Sequence, residues 1–434
     1  MKPEALASTI VATLRNSGYQ AYLVGGCVRD LLLGCHPKDF DVATDAPPGR
    51  IMQLFPNSGQ VGAHFGVVLV RDGGAQVEVA TFRSDRDYTD GRHPASVQFE
   101  SDPREDVLRR DFTINGLMMD PESGEVLDYV GGQADLERRA IRAIGDPEIR
   151  FREDHLRLLR AVRFAARLGF AIEPATMAAI RAHHASIQTV SAERIREELV
   201  RILTEGGARR GFELLDDAGL LNDILPEIAA MKGVAQPPEF HPEGDVWVHT
   251  LGLLEKLDQA SPTLAWGALL HDVGKPGTFR VAERIRFDGH VEEGVRLARA
   301  IFARLRFSRD DAEQVEALIG HHMQFKDVHH MRDSTLKRFL RLPKFEEHLE
   351  LHRLDCLSSN GRLENYDLAR RKLEEFGQEQ LKPKPLVTGT DLIGEGYRPG
   401  PQFSQMLSAV EDAQLEGRIT TREEALELVK RLFG

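Results

Sequence analysis

The chain has 434 residues, 41% hydrophobic and 29% charged, a composition that excludes a disordered or fibrous protein and gives length enough for several domains. No apolar run approaches the ~18 residues of a membrane-spanning helix, and Cys27, Cys35 and Cys356 have neither metal nor redox spacing, which points to a reducing, cytoplasmic setting. The net charge of −12 argues against nucleic-acid binding over the whole surface, yet between Arg138 and Arg167 nine arginines face four acidic residues, a local basic stripe suited to RNA.

Residues 1–20 carry an amphipathic pattern that predicts a lead-in helix ending at Gly18, without the features of a cleavable leader. Tyr22–Asp45, YLVGGCVRDLLLGCHPKDFDVATD, then reads as strand, glycine turn, helix, turn, strand. Gly25 and Gly26 let the backbone approach a ligand, and a helix over Val28–Leu33 begins with its free N–H groups there, with Arg29 on its first turn as a fixed cation for phosphate. Asp39 and Asp41 are two apart on an extended segment, Phe40–Val42, so both carboxylates share a face. Such a pair repels itself unless a cation lies between, and Mg²⁺ suits it, sharing carboxylate and phosphate oxygens. GGCVRD followed by DFD resembles the head of the class II tRNA nucleotidyltransferases (CCA-adding enzymes) and bacterial poly(A) polymerases, in the polymerase-beta-like superfamily.

Strands are predicted over Gly66–Val70 and Ala75–Phe82; Glu78 is either a third acidic group near Asp39 and Asp41 or a solvent-facing strand residue. Arg83–Pro103 has no periodicity and reads as a long loop, a kind usually functional or disordered. In the family that position holds a flexible element used in switching from C to A addition, which implies full CCA addition here. Leu108–Met119 predicts a helix with Asp111 and Asn115 on one face. Its RRDFTIN resembles the family's second motif, which implies that Asp111 and Asn115 hold ribose hydroxyls and that Arg110 meets the triphosphate. Ile141–Asp146 reads as the head's last strand and turn.

Phe151–Phe170 predicts one long helix with a buried stripe of Leu156, Leu159, Phe164 and Leu168. Asp154, Arg157, Arg160 and Arg163 follow one another at three-residue spacing, and Glu153-Asp154-x-x-Arg157 resembles the family's third motif. The resemblance implies an amino-acid template. A carboxylate accepts from the exocyclic amine of C or A, an arginine donates to ring acceptors, and G and U present the wrong pattern. Arg160 and Arg163 would add phosphate or base contacts. Ser191–Leu203 is a further helix, with Arg194 and Glu198 four apart as partners. Pro237, Pro238 and Pro242 mark a boundary.

Beyond it, WVHT (His249), ALLHDVGK (His271, Asp272) and LHRLD (Asp355) resemble the HD phosphohydrolase superfamily, which implies a metal site on those four residues. His290, His321 and His322 are candidates for a supporting or substrate-binding role. Imidazole mixed with carboxylate suits Ni²⁺, Mn²⁺, Co²⁺, Fe²⁺ or Mg²⁺. The chain after Lys382-Pro383-Lys384-Pro385 resembles the C-terminal segment of bacterial CCA-adding enzymes.

The expected fold is multidomain α+β. A small mixed α/β nucleotidyltransferase head (1–148) precedes an all-helical neck and body (149–240), an HD domain (241–380) and a helical tail (381–434). The expected reaction is addition of CCA to tRNA 3′ ends from CTP and ATP, with Mg²⁺ in the head and no membrane partner. One alternative is an enzyme adding A only, to tRNA or as a poly(A) tail; the stretch VGAHFGVV lacks the Arg-rich pattern of proteobacterial poly(A) polymerases and leans against the latter. The other is an HD phosphohydrolase whose head only binds RNA, against which the intact Asp39–Asp41 pair argues.

Overall fold

The computed structural model describes residues 2–60, 66–88, 94–239 and 241–434. They form two compact units, Met1–Ala229 and Ala230–Gly434.

The first unit opens on a helix over Pro3–Asn16, whose buried Leu6, Ala7, Ile10, Val11 and Leu14 recur at helical spacing, and Gly18 at φ 86° turns the chain out of it. The strands that follow are β1 (Ala21–Val24), β2 (Asp41–Thr44), β3 (Ser58–Gln60), β4 (Val67–Asp72), β5 (Ala75–Thr81), β6 (Arg83–Tyr88), β7 (Pro94–Phe99), β8 (Leu117–Met119) and β9 (Val126–Asp128). Seven make one sheet in the order β3-β4-β5-β2-β1-β8-β9, and β6 pairs with β7 in a separate ribbon. Only β2 and β5 run parallel within that sheet. Alternation sets its faces: Ala75, Val77, Val79 and Thr81 of β5 are buried, while Gln76 and Glu78 are exposed. Val24, Ala43, Phe82, Val107 and Met118 form an apolar cluster within the unit. The register sets Asp41 opposite Val24 on one side and Glu78 on the other, so neighbouring strands bring those two carboxylates side by side.

Four sequence expectations change here. The stretch 83–103 is not structureless, because β6 and β7 pair antiparallel with Arg83 opposite Phe99; residues 89–93 lie outside the described residues. Leu108–Met119 is not a helix. A helix over Pro103–Leu108 ends there, Thr113–Asn115 makes a single 3₁₀ turn, and Leu117–Met119 becomes a strand. The sheet explains it: Met118 and Met119 pair with Val24 and Leu23, and Gly25 N–H donates to the Leu117 carbonyl at 3.1 Å. A new ladder outweighs local helix preference, which is only tenths of a kcal/mol per residue (roughly 0–0.7). The long helix over Phe151–Phe170 is two, Pro147–Glu153 and Arg157–Leu168, broken at Asp154 with φ −146°. There the Asp154 carboxylate accepts from Leu156 N–H at 3.1 Å, a local bond that competes with the helix ladder. Finally, Ala140–Ile141 leaves the main sheet and pairs parallel with Ala171–Ile172. Residues 61–65 of VGAHFGVV also lie outside the described residues.

The second unit is helical apart from a hairpin of Arg280–Val281 with Ile285–Arg286. Trp266 is fully buried, with Phe302 and Phe307 edge-on to it. Further apolar clusters gather Phe325, Phe339, Phe345 and Leu381, and, separately, Val387, Leu392, Val410 and Val429.

Candidate active sites

In the first unit the turn after β1, the start of β2 and the helix over Arg157–Leu168 border a cavity of about 710 Å³ lined by Gly25, Gly26, Asp39, Asp41, Arg110 and Asp111 on one side and Asp154, Arg157, Arg160 and Arg163 on the other. Gly25, at φ 73° and ψ −129°, begins the turn from β1 into a helix over Gly26–Leu32, and a Cβ there would stand 3.0 Å from Arg110 Nη1. That conformation and that approach both need glycine. The helix begins two residues earlier than its sequence pattern predicts.

Asp41 is the most perturbed carboxylate at the cavity. Burial pushes its pKa up to about 6, helped by Glu78 and Asp39 and opposed by Arg110. Carboxylates crowded together without enough counter-charge are what a divalent cation satisfies, so the donor set fits a hard ion such as Mg²⁺. Glu78, exposed on the neighbouring strand, adds its charge to that around Asp41. Its signal in the sequence, a lone acid in an alternating strand, did not say which strand would lie beside it.

Arg29 does not stand free as a phosphate cation. It is buried, with Nη1 donating to Asn115 Oδ1 at 2.7 Å and Nε to Asp30 at 2.8 Å. It thereby orients the Asn115 amide, whose Nδ2 donates to Asp111 at 3.1 Å, and Arg160 closes the chain on Asp111 at 2.6 Å. Asp111 and Asn115 thus meet as expected, although through a 3₁₀ turn. Burial alone would raise Asp111, but Arg160 and the Asn115 amide push it down to about 2. Arg110 donates to the fully buried Asp106 at 2.9 Å.

The Asp154–Arg157 pair is held more firmly than its motif shows. Arg157 Nη1 donates to Glu153 at 2.6 Å and to the Arg150 carbonyl at 3.0 Å, and its Nη2 to the Arg109 carbonyl at 2.9 Å. Asp154 accepts from Arg194 at 2.9 Å, so Arg194 does not partner Glu198 as four-residue spacing suggests. Glu198 is buried and instead takes Arg163 at 2.7 Å. Arg163 is itself buried, and with Arg29 and Arg160 it surrounds the Phe164 ring at 4.3, 5.2 and 5.3 Å. Arg163 thus lines the cavity with its guanidinium held by Glu198 and the Phe164 ring. Leu156, Leu159 and Phe164 are buried as predicted, and Leu168 is half-buried.

In the second unit, helices over Val246–Glu255, Pro262–Leu270 and Phe345–Ser358 bring His249, His271, Asp272 and Asp355 together. Asp245 and Ser261 cap the first two, accepting from Val248 N–H and Leu264 N–H. His249 Nε2 lies 3.3 Å from His271 Nε2 and 3.1 Å from Asp355, and His271 Nε2 lies 3.2 Å from Asp272. Donor nitrogens and oxygens at these separations match ligands about 2.0–2.2 Å from one ion. Glu243, missed in the sequence, accepts from His249 Nδ1–H at 2.6 Å and so aims Nε2 inward. Lys275, within the HDxGK stretch, lies 2.7 Å from Asp272 and 2.6 Å from Gln236. His290 and His322 join the cluster through Asp272, but His321 turns toward His348 instead. Burial and the neighbouring His271 push the His322 imidazole down to about 4, so it is neutral.

Known proteins can be set beside this geometry. A model described as the poly A polymerase head domain matches residues 21–142, one described as a probable RNA- and SrmB-binding site of polymerase A matches 169–232, and the HD domain matches 245–357. The CCA-adding enzyme of Levilactobacillus brevis is 32% identical over 425 residues, 97% of this chain and 96% of that one. The CCA-adding enzyme of Geobacillus stearothermophilus is 46% identical over 232 residues, 53% of this chain and 56% of its own length. Among solved structures, the Bacillus stearothermophilus CCA-adding enzyme in complex with CTP superposes with a TM-score of 0.76 at 28% identity, covering 99% of this chain and 98% of that one. The Thermotoga maritima CCA-adding enzyme complexed with tRNA shares the fold at a TM-score of 0.60 and 18% identity, covering 99% and 95%.

Proposed function

The chain belongs to the family of CCA-adding enzymes, and on that premise we propose that it transfers CMP and AMP from CTP and ATP to the 3′ end of tRNA, releasing pyrophosphate. The observation that carries this reading is one cavity with an acidic pair on one wall and a carboxylate–arginine pair on the other.

Asp39 and Asp41, with Glu78 beside them, would hold a divalent cation, Mg²⁺ by the chemistry of an all-oxygen donor set. When bound, it supplies Lewis acidity at the reacting phosphate and neutralises the leaving pyrophosphate. Gly26 offers its backbone N–H to the triphosphate at the turn that Gly25 makes, and Arg110 stands beside Gly25. Asp111 and Asn115 receive the ribose hydroxyls, prearranged by Arg29 and Arg160. Asp154 accepts from the N4 amine of C or the N6 amine of A, and Arg157 donates to ring acceptors. Because both are tied to the protein frame, the site discriminates by hydrogen-bond pattern without a nucleic-acid template.

We assign the catalytic head to 1–148, the neck and body to 149–240, the HD domain to 241–380 and the tail to 381–434. The division of the chain between Ala229 and Ala230 lies near the limit at 240, and separate apolar clusters, one reaching Leu381 and the other beginning at Leu386, support a tail distinct from the HD domain. A second reading concerns His249, His271, Asp272 and Asp355, whose convergence supports a metal-dependent phosphohydrolase alongside the transferase. A transition metal held there would supply Lewis acidity toward a phosphoester. A cytoplasmic location belongs to the same reading and draws support from three cysteines without disulfides.

The test supplies tRNA ending at the discriminator base, or ending in CC, with labelled CTP or ATP. CTP incorporation on the first and ATP incorporation on the second are expected. ATP incorporation on the second alone would make the enzyme an A-adding one.

A further inference from the structure

Behind Asp111 and Asn115 the charged side chains of the first unit close into a ring. Arg29 holds Asn115 through Nη1 at 2.7 Å and Asp30 through Nη2 at 2.7 Å. The second oxygen of Asp30 pairs with Arg167 at 3.2 Å, and Arg167 pairs with Glu205 at 3.7 Å. From Glu205 the pairs run back through Arg163 at 3.3 Å, Glu198 at 2.7 Å and Arg160 at 4.0 Å to Asp111 at 2.6 Å. The Asn115 amide closes the ring on Asp111 at 3.1 Å. Arginines and carboxylates alternate throughout, so the charge is balanced, and Asn115 is its neutral member. Arg29 and Asp30 come from the helix over Gly26–Leu32, and Arg160, Arg163 and Arg167 from one face of Arg157–Leu168. Glu198 lies on the helix over Ala192–Thr204, and Glu205 ends it.

Stability alone does not account for such a ring. Arg29, Asp30, Asp111, Asn115, Arg163 and Glu198 are all buried. Withdrawing charges from water is costly, and apolar side chains of the same volume often serve stability as well or better. A closed set of directional bonds does what an apolar core cannot, which is to fix the angle at which a carboxylate and an amide face the cavity. Glu205 is where two arms part, because its Oε2 takes both Arg163 Nη1 and Arg167 Nη1. One arm runs through Arg167, Asp30 and Arg29 to Asn115, the other through Arg163, Glu198 and Arg160 to Asp111. The base-reading pair is held by other groups. Asp154 is fixed by Arg194 and Leu156 N–H, and Arg157 by Glu153 and the carbonyls of Arg150 and Arg109. None of those groups is a member of the ring.

We propose that Glu205, Arg167 and Asp30 are positioning residues for the sugar: the arms that meet at Glu205 hold Asp111 and Asn115 at the angle that accepts a ribose and disfavours a deoxyribose. This rests on the reading that Asp111 and Asn115 receive the ribose hydroxyls. A site built to hydrogen-bond a hydroxyl rejects the analogue without it because its own buried polar groups are then left unpaired. That penalty exists only while those groups are held in place. Once an arm is cut, Asn115 and Asp111 can turn to other partners, and the missing hydroxyl costs less. Choice of sugar and choice of base are thereby set by separate frames around one cavity.

The test follows addition by the full chain to tRNA ending at the discriminator base, with CTP, dCTP and UTP each supplied over a range of concentrations. Glu205→Gln keeps the side chain's shape and removes its charge, while Arg163 and Arg167 each keep a second carboxylate. The CTP-to-dCTP ratio of kcat/KM should fall roughly fivefold, the worth of one ordinary hydrogen bond, mainly through a higher KM for CTP. The CTP-to-UTP ratio should stay at the parent value. Asp30→Asn should act in the same way, and the double variant should fall no further than either single one, because both lie on one arm. Arg194→Ala should do the reverse, lowering the CTP-to-UTP ratio and sparing the CTP-to-dCTP ratio. Circular dichroism melts identify any variant that fails to fold, and Glu205→Gln and Asp30→Asn stand in for each other. An unchanged sugar ratio in the folded variants would overturn the proposal and leave the ribose reading intact. Equal falls in both ratios would overturn it as well, making the ring a general scaffold. A parent chain that takes dCTP as readily as CTP would overturn the ribose reading and the proposal with it.

Discussion

Asp41, which we propose as a metal ligand, is a carboxylate whose surroundings disfavour its charged form. Its folded pKa of about 6 exceeds the ordinary 3.8, so ionising it weakens the fold. That penalty is complete above pH 6, shrinks as pH falls and is gone below the unfolded value. The shift corresponds to ~3 kcal/mol at most, and partial exposure of the side chain leaves about 1–2 kcal/mol. Asp41→Asn should therefore melt a few degrees higher than the parent chain at pH 8 in chelator, and Mg²⁺ should narrow the gap. A lower melting temperature in chelator would show that the carboxylate is structural. Asp39→Ala or Asp41→Ala should abolish nucleotide addition, and near-normal incorporation with Mg²⁺ would remove them from the chemistry. At the base-reading end, Asp154→Ala should raise UTP and GTP misincorporation relative to CTP and ATP, since a lost base-edge partner is worth about 1–3 kcal/mol. Arg194→Ala should move selectivity the same way, because Arg194 fixes the Asp154 carboxylate at 2.9 Å. Full selectivity in the Asp154 variant would assign the template elsewhere.

Among the elements, the turn from β1 into its helix governs the most chemistry in the fewest residues. Gly25 adopts a φ that other residues rarely reach, and Leu117 of β8 takes its N–H. Gly25→Ala places a Cβ in a strained backbone and against Arg110, costing about 1–3 kcal/mol. We expect a lower melting temperature and a KM for CTP that rises more than kcat falls, because the added Cβ crowds Arg110 at the surface proposed to receive the triphosphate. Unchanged KM would separate Gly25 from the triphosphate. The helix break at Asp154 is a device of the same kind. It turns a residue that would point along a continuous helix toward both Leu156 N–H and Arg194.

At the scale of the whole molecule, the two candidate sites belong to different compact units and use different ligand chemistry. The first offers only oxygen, the second imidazole with carboxylate. Asp272→Ala should eliminate metal-dependent hydrolysis of 2′,3′-cyclic AMP while sparing addition of C and A to tRNA, and Asp41→Ala should do the reverse. Both activities are to be followed on one preparation with Ni²⁺, Mn²⁺, Co²⁺ or Mg²⁺ in the hydrolysis assay. No hydrolysis by the parent chain would make the second unit a scaffold, and loss of both activities in the Asp272 variant would make its metal a structural support for the first.

What the sequence determined by itself was the chemistry carried by short spacings. Asp-x-Asp, Glu-Asp-x-x-Arg and His-Asp each put polar groups within a few residues, where local geometry keeps them close, whereas the Arg three residues after Gly-Gly is taken by Asn115 and Asp30. The paired faces of β5 and the buried positions of the helix after Asp154 were legible for the same reason, since burial follows a local period. The tertiary structure alone decided which distant groups became partners. Glu78 meets Asp41 through a parallel strand register, Arg194 reaches back across forty residues to Asp154, and Glu198 takes Arg163. Strand pairing also turned Leu117–Met119 from predicted helix to sheet. His290 and His322, ambiguous in sequence, gain a shared direction only when separate helices converge on Asp272. Long-range hydrogen bonds and ion pairs depend on which surfaces the core brings face to face, and no local pattern encodes that choice.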